Sequence, residues 1–230
     1  MSRRLHALGY LVLLAWGVLA GDSAVRAQER SPGAAALQRL KDGNQRFASE
    51  QLAKKDLSTA RRQELAKGQR PWAIVLACAD SRVAPELIFD QGLGELFVVR
   101  VAGNVASPEI LGSIEYALTE LKTPLIIVLG HEECGAVKAA LSEEHLSGNL
   151  GKLIARVHVG RDLPQDKAKR LPSGIQANVV HQIRELSQQS PIIKDFAQSG
   201  RVSIVGGIYS LATGKVVWLG RSTDQERDGR

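Results

Sequence analysis

The stretch Trp72-Ala73-Ile74-Val75-Leu76-Ala77-Cys78-Ala79-Asp80-Ser81-Arg82 decides how this chain is read. Its apolar run has the length of a strand buried on both faces, and it ends abruptly in a thiol, a carboxylate and a guanidinium. A second run, Leu125-Ile126-Ile127-Val128-Leu129-Gly130-His131-Glu132-Glu133-Cys134, repeats the arrangement and ends in an imidazole and another thiol. In an open α/β sheet the carboxyl ends of neighbouring strands face one crevice. Cys78, Asp80, His131 and Cys134 are therefore expected to converge there, although 50 positions separate them in sequence.

Working outward, the flanking segments alternate between helical and strand patterns. A helix is expected over 34–50, with Leu37, Leu40 and Phe47 on one side and Gly43-Asn44 interrupting the pattern. A second is expected up to Lys67, with Ser58 as its N-cap and Gly68 ending it. These two helices precede the core; periodicity leaves open whether they pack on their own sheet or on another subunit. After the first strand, Pro85 opens a short helix and Leu96-Phe97-Val98-Val99-Arg100 forms the next strand. Ser107-Pro108-Glu109 reads as a helix start with a hydroxyl cap, and Ile110, Ile114, Ala117, Leu118 and Leu121 continue the stripe. Cys134-Gly135-Ala136 begins another helix, whose N–H groups are expected to lower the Cys134 pKa. The 142–173 segment reads as a polar excursion. Helices over 175–189 and 191–197 follow, then a hairpin of 202–209 and 215–219 around Thr213-Gly214.

The 230 residues, 44% of them hydrophobic, suffice for one domain with a real core. Arg3 and Arg4, the apolar run over 7–20 and the small-residue pattern Val25-Arg26-Ala27 read as a secretory signal peptide over 1–27. That run is below the ~20 residues a membrane span needs, so no stable membrane anchor is expected after cleavage. The domain then covers 28–220, with a polar tail over 221–230, and the location is periplasmic or secreted. The net charge of +6 falls to +4 once Arg3, Arg4, Arg26 and Asp22 are removed with the leader. With 4% aromatics and no basic stripe, nucleic-acid binding is not expected.

An exported chain with two cysteines invites a disulfide reading. A Cys78–Cys134 bridge would explain neither Asp80 nor His131, nor their placement at strand ends. A zinc ion explains all four, since thiolate and imidazole are its usual protein ligands. His145, His158 and His181 read as surface or helix-packing residues.

Several segments together resemble the β-class carbonic anhydrases. They are Cys78-Ala79-Asp80-Ser81-Arg82, His131-x-x-Cys134-Gly135, Asp42-Gly43-Asn44-Gln45-Arg46-Phe47, Val101-Ala102-Gly103-Asn104, Ile114-Glu115-Tyr116-Ala117 and Gly214-Lys215-Val216. The resemblance runs over about 37–219. It implies an α/β fold with a mainly parallel central sheet flanked by helices, an N-terminal helical arm wrapped over a partner, and a C-terminal β-hairpin. It also implies a homodimer or higher homo-oligomer with zinc at the subunit boundary, one ion per chain. Cys78, His131 and Cys134 match the zinc ligands, and Asp80 and Arg82 the catalytic Asp/Arg dyad, with Asp80 ligating zinc only in a closed state. Gln69, Phe97, Tyr116 and Gly135 match substrate-binding positions of the plant-like type. The family's other type carries tryptophan in a non-catalytic bicarbonate site where this chain has Val75, so that site is expected to be lacking. Glu132 and Val101-Ala102-Gly103-Asn104 depart from the usual pattern, the first by placing an extra carboxylate near the metal loop.

The implied reaction is reversible hydration of carbon dioxide to bicarbonate and a proton, by a hydroxide that zinc makes available near pH ~7. Two alternatives stand beside it: hydrolysis of a related heterocumulene such as carbonyl sulfide or carbon disulfide, and a non-enzymatic, zinc-stabilised exported module.

Overall fold

A computed structural model describes residues 32–142 and 144–221. The leader assigned to 1–27 and the tail residues 222–230 lie outside the described residues. The chain forms α1 (Pro32–Ala48), α2 (Thr59–Leu65), β1 (Ala73–Ala77), α3 (Pro85–Ile88), β2 (Leu96–Arg100) and a 3-10 turn (Ala102–Asn104). It continues through α4 (Pro108–Thr119), β3 (Leu125–His131), α5 (Gly135–Leu141), α6 (Gly148–Ile154), α7 (Lys167–Gln189), α8 (Pro191–Gln198), β4 (Ser203–Tyr209) and β5 (Val216–Arg221).

The sheet order is β2-β1-β3-β4-β5, parallel as far as β4, with β5 antiparallel to β4. From β1 the chain steps outward to β2 and then returns to lay β3 on the other side of β1. The order reverses between β1 and β3, which is where a parallel sheet opens a crevice at its carboxyl edge. Both strands are buried along their whole length. Alternation sends Ile74, Leu76, Ile126 and Val128 to one face, against Ile114 and Leu118 of α4, Val179 and Ile183 of α7 and Ile193 of α8. Val75, Ile127 and Leu129 take the other face, against Leu40 of α1 and Ile88 of α3.

The Gly43-Asn44 interruption explains where α1 sits. A Cβ on Gly43 would lie 1.9 Å from the Phe89 carbonyl oxygen, so only glycine lets the helix approach the end of α3 this closely. The neighbouring Asn44 donates to the carbonyls of Ile88 (3.2 Å) and Gly214 (2.8 Å) and accepts from the Val216 N–H (2.8 Å). One buried carboxamide thus ties α1, α3 and the terminal hairpin together. Of the two placements open to this helix, its apolar face takes its own sheet through Ala36, Leu37 and Leu40. Helix α2 buries no residue of its own within the chain.

Four local expectations change. Helix α7 begins at Lys167, well before 175, because the Asp166 carboxylate caps it by accepting from the Ala168 N–H at 3.0 Å, and Pro172 is carried inside. Helix α6 forms inside the segment read as an excursion and buries Ile154. The Ser107 hydroxyl donates to the Glu109 carboxylate at 2.9 Å and caps no helix N–H. Strand β5 runs on to Arg221, which pairs with Val205 beyond a bulge.

Candidate metal centre

Strands β1 and β3 pair as Ile74 with Ile126 through Ala77 with Leu129. That register delivers Cys78 and His131 side by side as the strands end, and Cys134 follows at the start of α5. The ligand atoms of Cys78, His131 and Cys134 all lie within 4.8 Å of one another, and all three residues are buried. The His131 Nδ1–H donates to the Glu132 carbonyl at 2.8 Å, which leaves the Nε2 lone pair as the free ligand atom. Nε2 is buried and has no hydrogen-bond partner. An imidazole nitrogen orphaned beside two thiols, in a Cys2His donor set, fits a tetrahedral soft-ligand metal, zinc foremost. A Cys78–Cys134 disulfide is not formed.

Taken as protein groups alone, the two thiols share a proton. Donation from Cys134 pulls the Cys78 thiol down to about 4, with further lowering from His131 and from the backbone N–H groups of Asp80 and Gly103. Cys134 is pushed up, chiefly by the Cys78 partner and then by burial. The expected lowering by the α5 N–H groups is present, from Ala136 and Val137, but the neighbouring thiolate outweighs it.

Asp80 faces the same crevice. Its Oδ1 accepts from the Arg82 backbone N–H (3.0 Å) and Nε (2.9 Å), and its Oδ2 from Nη2 (2.7 Å). This fork holds the carboxyl well below the usual carboxylate range. Asp80 Oδ2 lies 3.9 Å from His131 Nε2, so the dyad and the ligand cluster form one site. Arg100, which the sequence reading passed over, clamps the connecting loop: Nε donates to the Cys78 carbonyl (2.9 Å) and Nη2 to the Asp80 carbonyl (2.6 Å). The available signal was its place at the carboxyl end of β2, in register with Ala77.

Glu132 turns away from the cluster. Its carboxylate accepts from the Ser210 hydroxyl (2.8 Å) and the Leu211 N–H (3.1 Å), so it braces the hairpin loop rather than adding charge to the ligand set.

Three of the four substrate-binding candidates, Gln69, Phe97 and Tyr116, are not brought together with the metal ligands. Gln69 is exposed, on the amino side of β1, whereas Cys78 follows its carboxyl end. At ~3.3 Å per residue the strand alone separates them by about 13 Å. Phe97 lies on β2 opposite Ile74 and pairs with the half-exposed ring of Tyr116 at 6.3 Å between centroids. These three residues sit along the β2 edge of the sheet. Gly135 does adjoin the cluster, and a Cβ built on it would meet nothing within 4 Å.

Fold and site together define an α/β protein with a buried Cys2His cluster able to hold a metal ion at a parallel-sheet switch point. The carbonic anhydrase family profile matches residues 73–216. A carbonic anhydrase of Mycolicibacterium smegmatis is 44% identical over 187 residues, covering 79% of this chain and 91% of that one. Carbonic anhydrase 2 of Mycobacterium tuberculosis is 43% identical over 189 residues, covering 80% and 91%. Among solved structures, the Coccomyxa β-carbonic anhydrase in complex with acetazolamide superposes with a TM-score of 0.63 at 29% identity, covering 82% of this chain and 88% of that one. A tetrameric β-carbonic anhydrase of Sordaria macrospora, 22% identical, shares the fold with a TM-score of 0.62 over 92% and 96%. The chain belongs to the β class of the carbonic anhydrase family.

Proposed function

We propose that this protein catalyses the reversible hydration of carbon dioxide to bicarbonate and a proton, with one zinc per chain held by Cys78, His131 and Cys134. The buried, unpartnered His131 Nε2 between two thiols, beside the Asp80–Arg82 fork, carries this reading. When bound, zinc is a Lewis acid that makes hydroxide available near neutral pH for addition to carbon dioxide. Asp80, kept ionised by Arg82, accepts a hydrogen bond from the attacking oxygen and so orients it. Arg82 holds both carboxylate oxygens, which restrains Asp80 from becoming a fourth protein ligand. Arg100 fixes the backbone that carries Cys78 and Asp80. The open space beside Gly135 admits the small linear substrate.

Gln69, Phe97 and Tyr116 complete the pocket from a second copy of the chain. Their shared edge, the exposure of Gln69 and Tyr116, and the distance of Gln69 from its own cluster support a homodimer or higher oligomer with the site at the boundary. The active site is of the plant-like type. Val75 supports this: it is wholly buried within the core, where a non-catalytic bicarbonate site would need tryptophan. Arg3-Arg4, the apolar run and Val25-Arg26-Ala27 support export, which N-terminal sequencing of the mature protein checks. Among the described residues no helix is long and apolar enough to cross a membrane.

The deciding experiment pairs metal analysis with stopped-flow hydration. About one zinc per chain and hydration lost in both Asp80→Ala and Cys134→Ser are expected. Faster turnover of carbonyl sulfide or carbon disulfide than of carbon dioxide would replace the substrate, and absence of bound zinc would overturn the reading.

A further inference from the structure

Helix α7 presents an apolar stripe to the sheet, Ile175, Val179, Ile183 and Leu186, yet two carboxamides one turn apart interrupt it. Asn178 and Gln182 are each 1% exposed. Burying such groups is costly unless every polar atom is used, and here all of them are. Asn178 Nδ2 donates to the Gly103 carbonyl at 2.8 Å, and its Oδ1 accepts from the His158 N–H (3.0 Å) and Gln182 Nε2 (3.1 Å). Gln182 also donates to the Arg156 carbonyl (3.0 Å), and its Oε1 accepts from the Ala106 N–H (2.8 Å).

Two of these bonds, to Gly103 and Ala106, hold the turn after β2, where Gly103 and Asn104 take successive positive φ values of 74° and 46°. Glycine and asparagine adopt this region readily, so the sequence permits the turn and the outside bonds fix where it sits. A Cβ on Gly103 would meet Val157 Cγ2 at 2.8 Å, so the turn is wedged as well as tied. On its other side the Gly103 N–H points at Cys78 Sγ, 3.4 Å away.

We infer that Asn178, braced by Gln182, is a positioning residue for the metal centre: it locks the Gly103 turn so that one backbone N–H is donated to the Cys78 thiolate. The consequence is electronic as well as geometric. Two thiolates neutralise a divalent zinc and weaken its Lewis acidity, while an N–H donated to one of them draws charge off the sulfur and restores part of that acidity. Helix α7 thereby tunes a centre to which it supplies no ligand. The inference rests on zinc binding at Cys78.

The test replaces the zinc with cobalt(II) and compares Asn178→Leu with the unmutated protein. The expected result is a shift of the thiolate-to-cobalt charge-transfer bands to lower energy, and zinc affinity in chelator competition lower by about tenfold. Ser190→Ala is the control, since this buried hydroxyl caps α8 and has no bond to the turn. It should lower the melting temperature and leave band energy and zinc affinity unchanged. If Asn178→Leu does not fold, Asn178→Ser is read in the same two ways. Bands and affinity indistinguishable from the unmutated protein, or shifted equally by Ser190→Ala, would overturn the inference. Absence of any thiolate-to-cobalt band in the unmutated protein would overturn the zinc reading and this inference with it.

Discussion

Gln69 offers the sharpest test of how the site is assembled. Within one chain it lies on the far side of β1 from Cys78, and the residues between, Ala73 to Ala77, form an unbroken buried strand. Four steps of ~3.3 Å put about 13 Å between the strand's ends, beyond the reach of a glutamine side chain. A glutamine that hydrogen-bonds substrate must therefore come from another copy. Removing one such donor lowers turnover by about a hundredfold, so Gln69→Ala homo-oligomers should be nearly silent. Cys134→Ser homo-oligomers should be silent for want of a ligand. When the two variants are mixed and allowed to exchange subunits, about half of the dimer units become hybrids under random pairing. Each hybrid has one site that joins an intact ligand set from one copy to an intact Gln69 from the other. About a quarter of all sites are then complete, and hydration should recover to about a quarter of the unmutated rate per chain. If each site were built within a single chain, no hybrid would contain a complete one. Activity no higher than the mean of the two parents, with hybrid formation verified by differently tagged subunits, would refute the reasoning.

The Asp90 side chain is 1% exposed and accepts from Arg46 (2.5 Å), from Lys55 and from the Ala53 N–H (3.1 Å), so Asp90→Asn should cost about 3 kcal/mol in denaturant unfolding at pH 7. Burial pushes its carboxyl up, but Lys55 and Arg46 outweigh burial and hold it low. The difference between the two proteins should thus be full above about pH 4 and narrow as acid protonates Asp90 in the folded chain. Gly43→Ala must push α1 off the Phe89 carbonyl, 1.9 Å from the added Cβ, and should destabilise the fold by about 2 kcal/mol in thermal unfolding. Arg100→Leu removes the guanidinium that bridges the Cys78 and Asp80 carbonyls, leaving Asp80 the Val83 N–H at 3.0 Å. Zinc affinity in chelator competition should fall by about tenfold, and an unchanged value would remove Arg100 from the support of the site.

Much of this protein is written locally. The two apolar runs read as buried parallel strands, because each is short, uninterrupted by polar residues and rich in β-branched side chains. Their endings in Cys78, Asp80, His131 and Cys134 placed a metal centre at the carboxyl edge, since parallel strands end on the same side. Boundaries set by strong local signals, such as β2, β3 and the Ser58 cap, are legible for the same reason. What the sequence could not show depends on partners far along the chain. The helix α1 stripe fits any apolar surface, and only the Gly43 approach and the Asn44 bonds to Ile88, Gly214 and Val216 select its own sheet. The Cys134 thiol follows its neighbour Cys78 rather than its own helix terminus. Asn178 and Gln182 look like defects in an amphipathic pattern until the turn at Gly103 is folded against them. Composition and periodicity determine which residues are buried and which chemistry they carry, because those follow from neighbours along the chain. Which backbone group meets which side chain is decided only when segments distant in sequence are packed together.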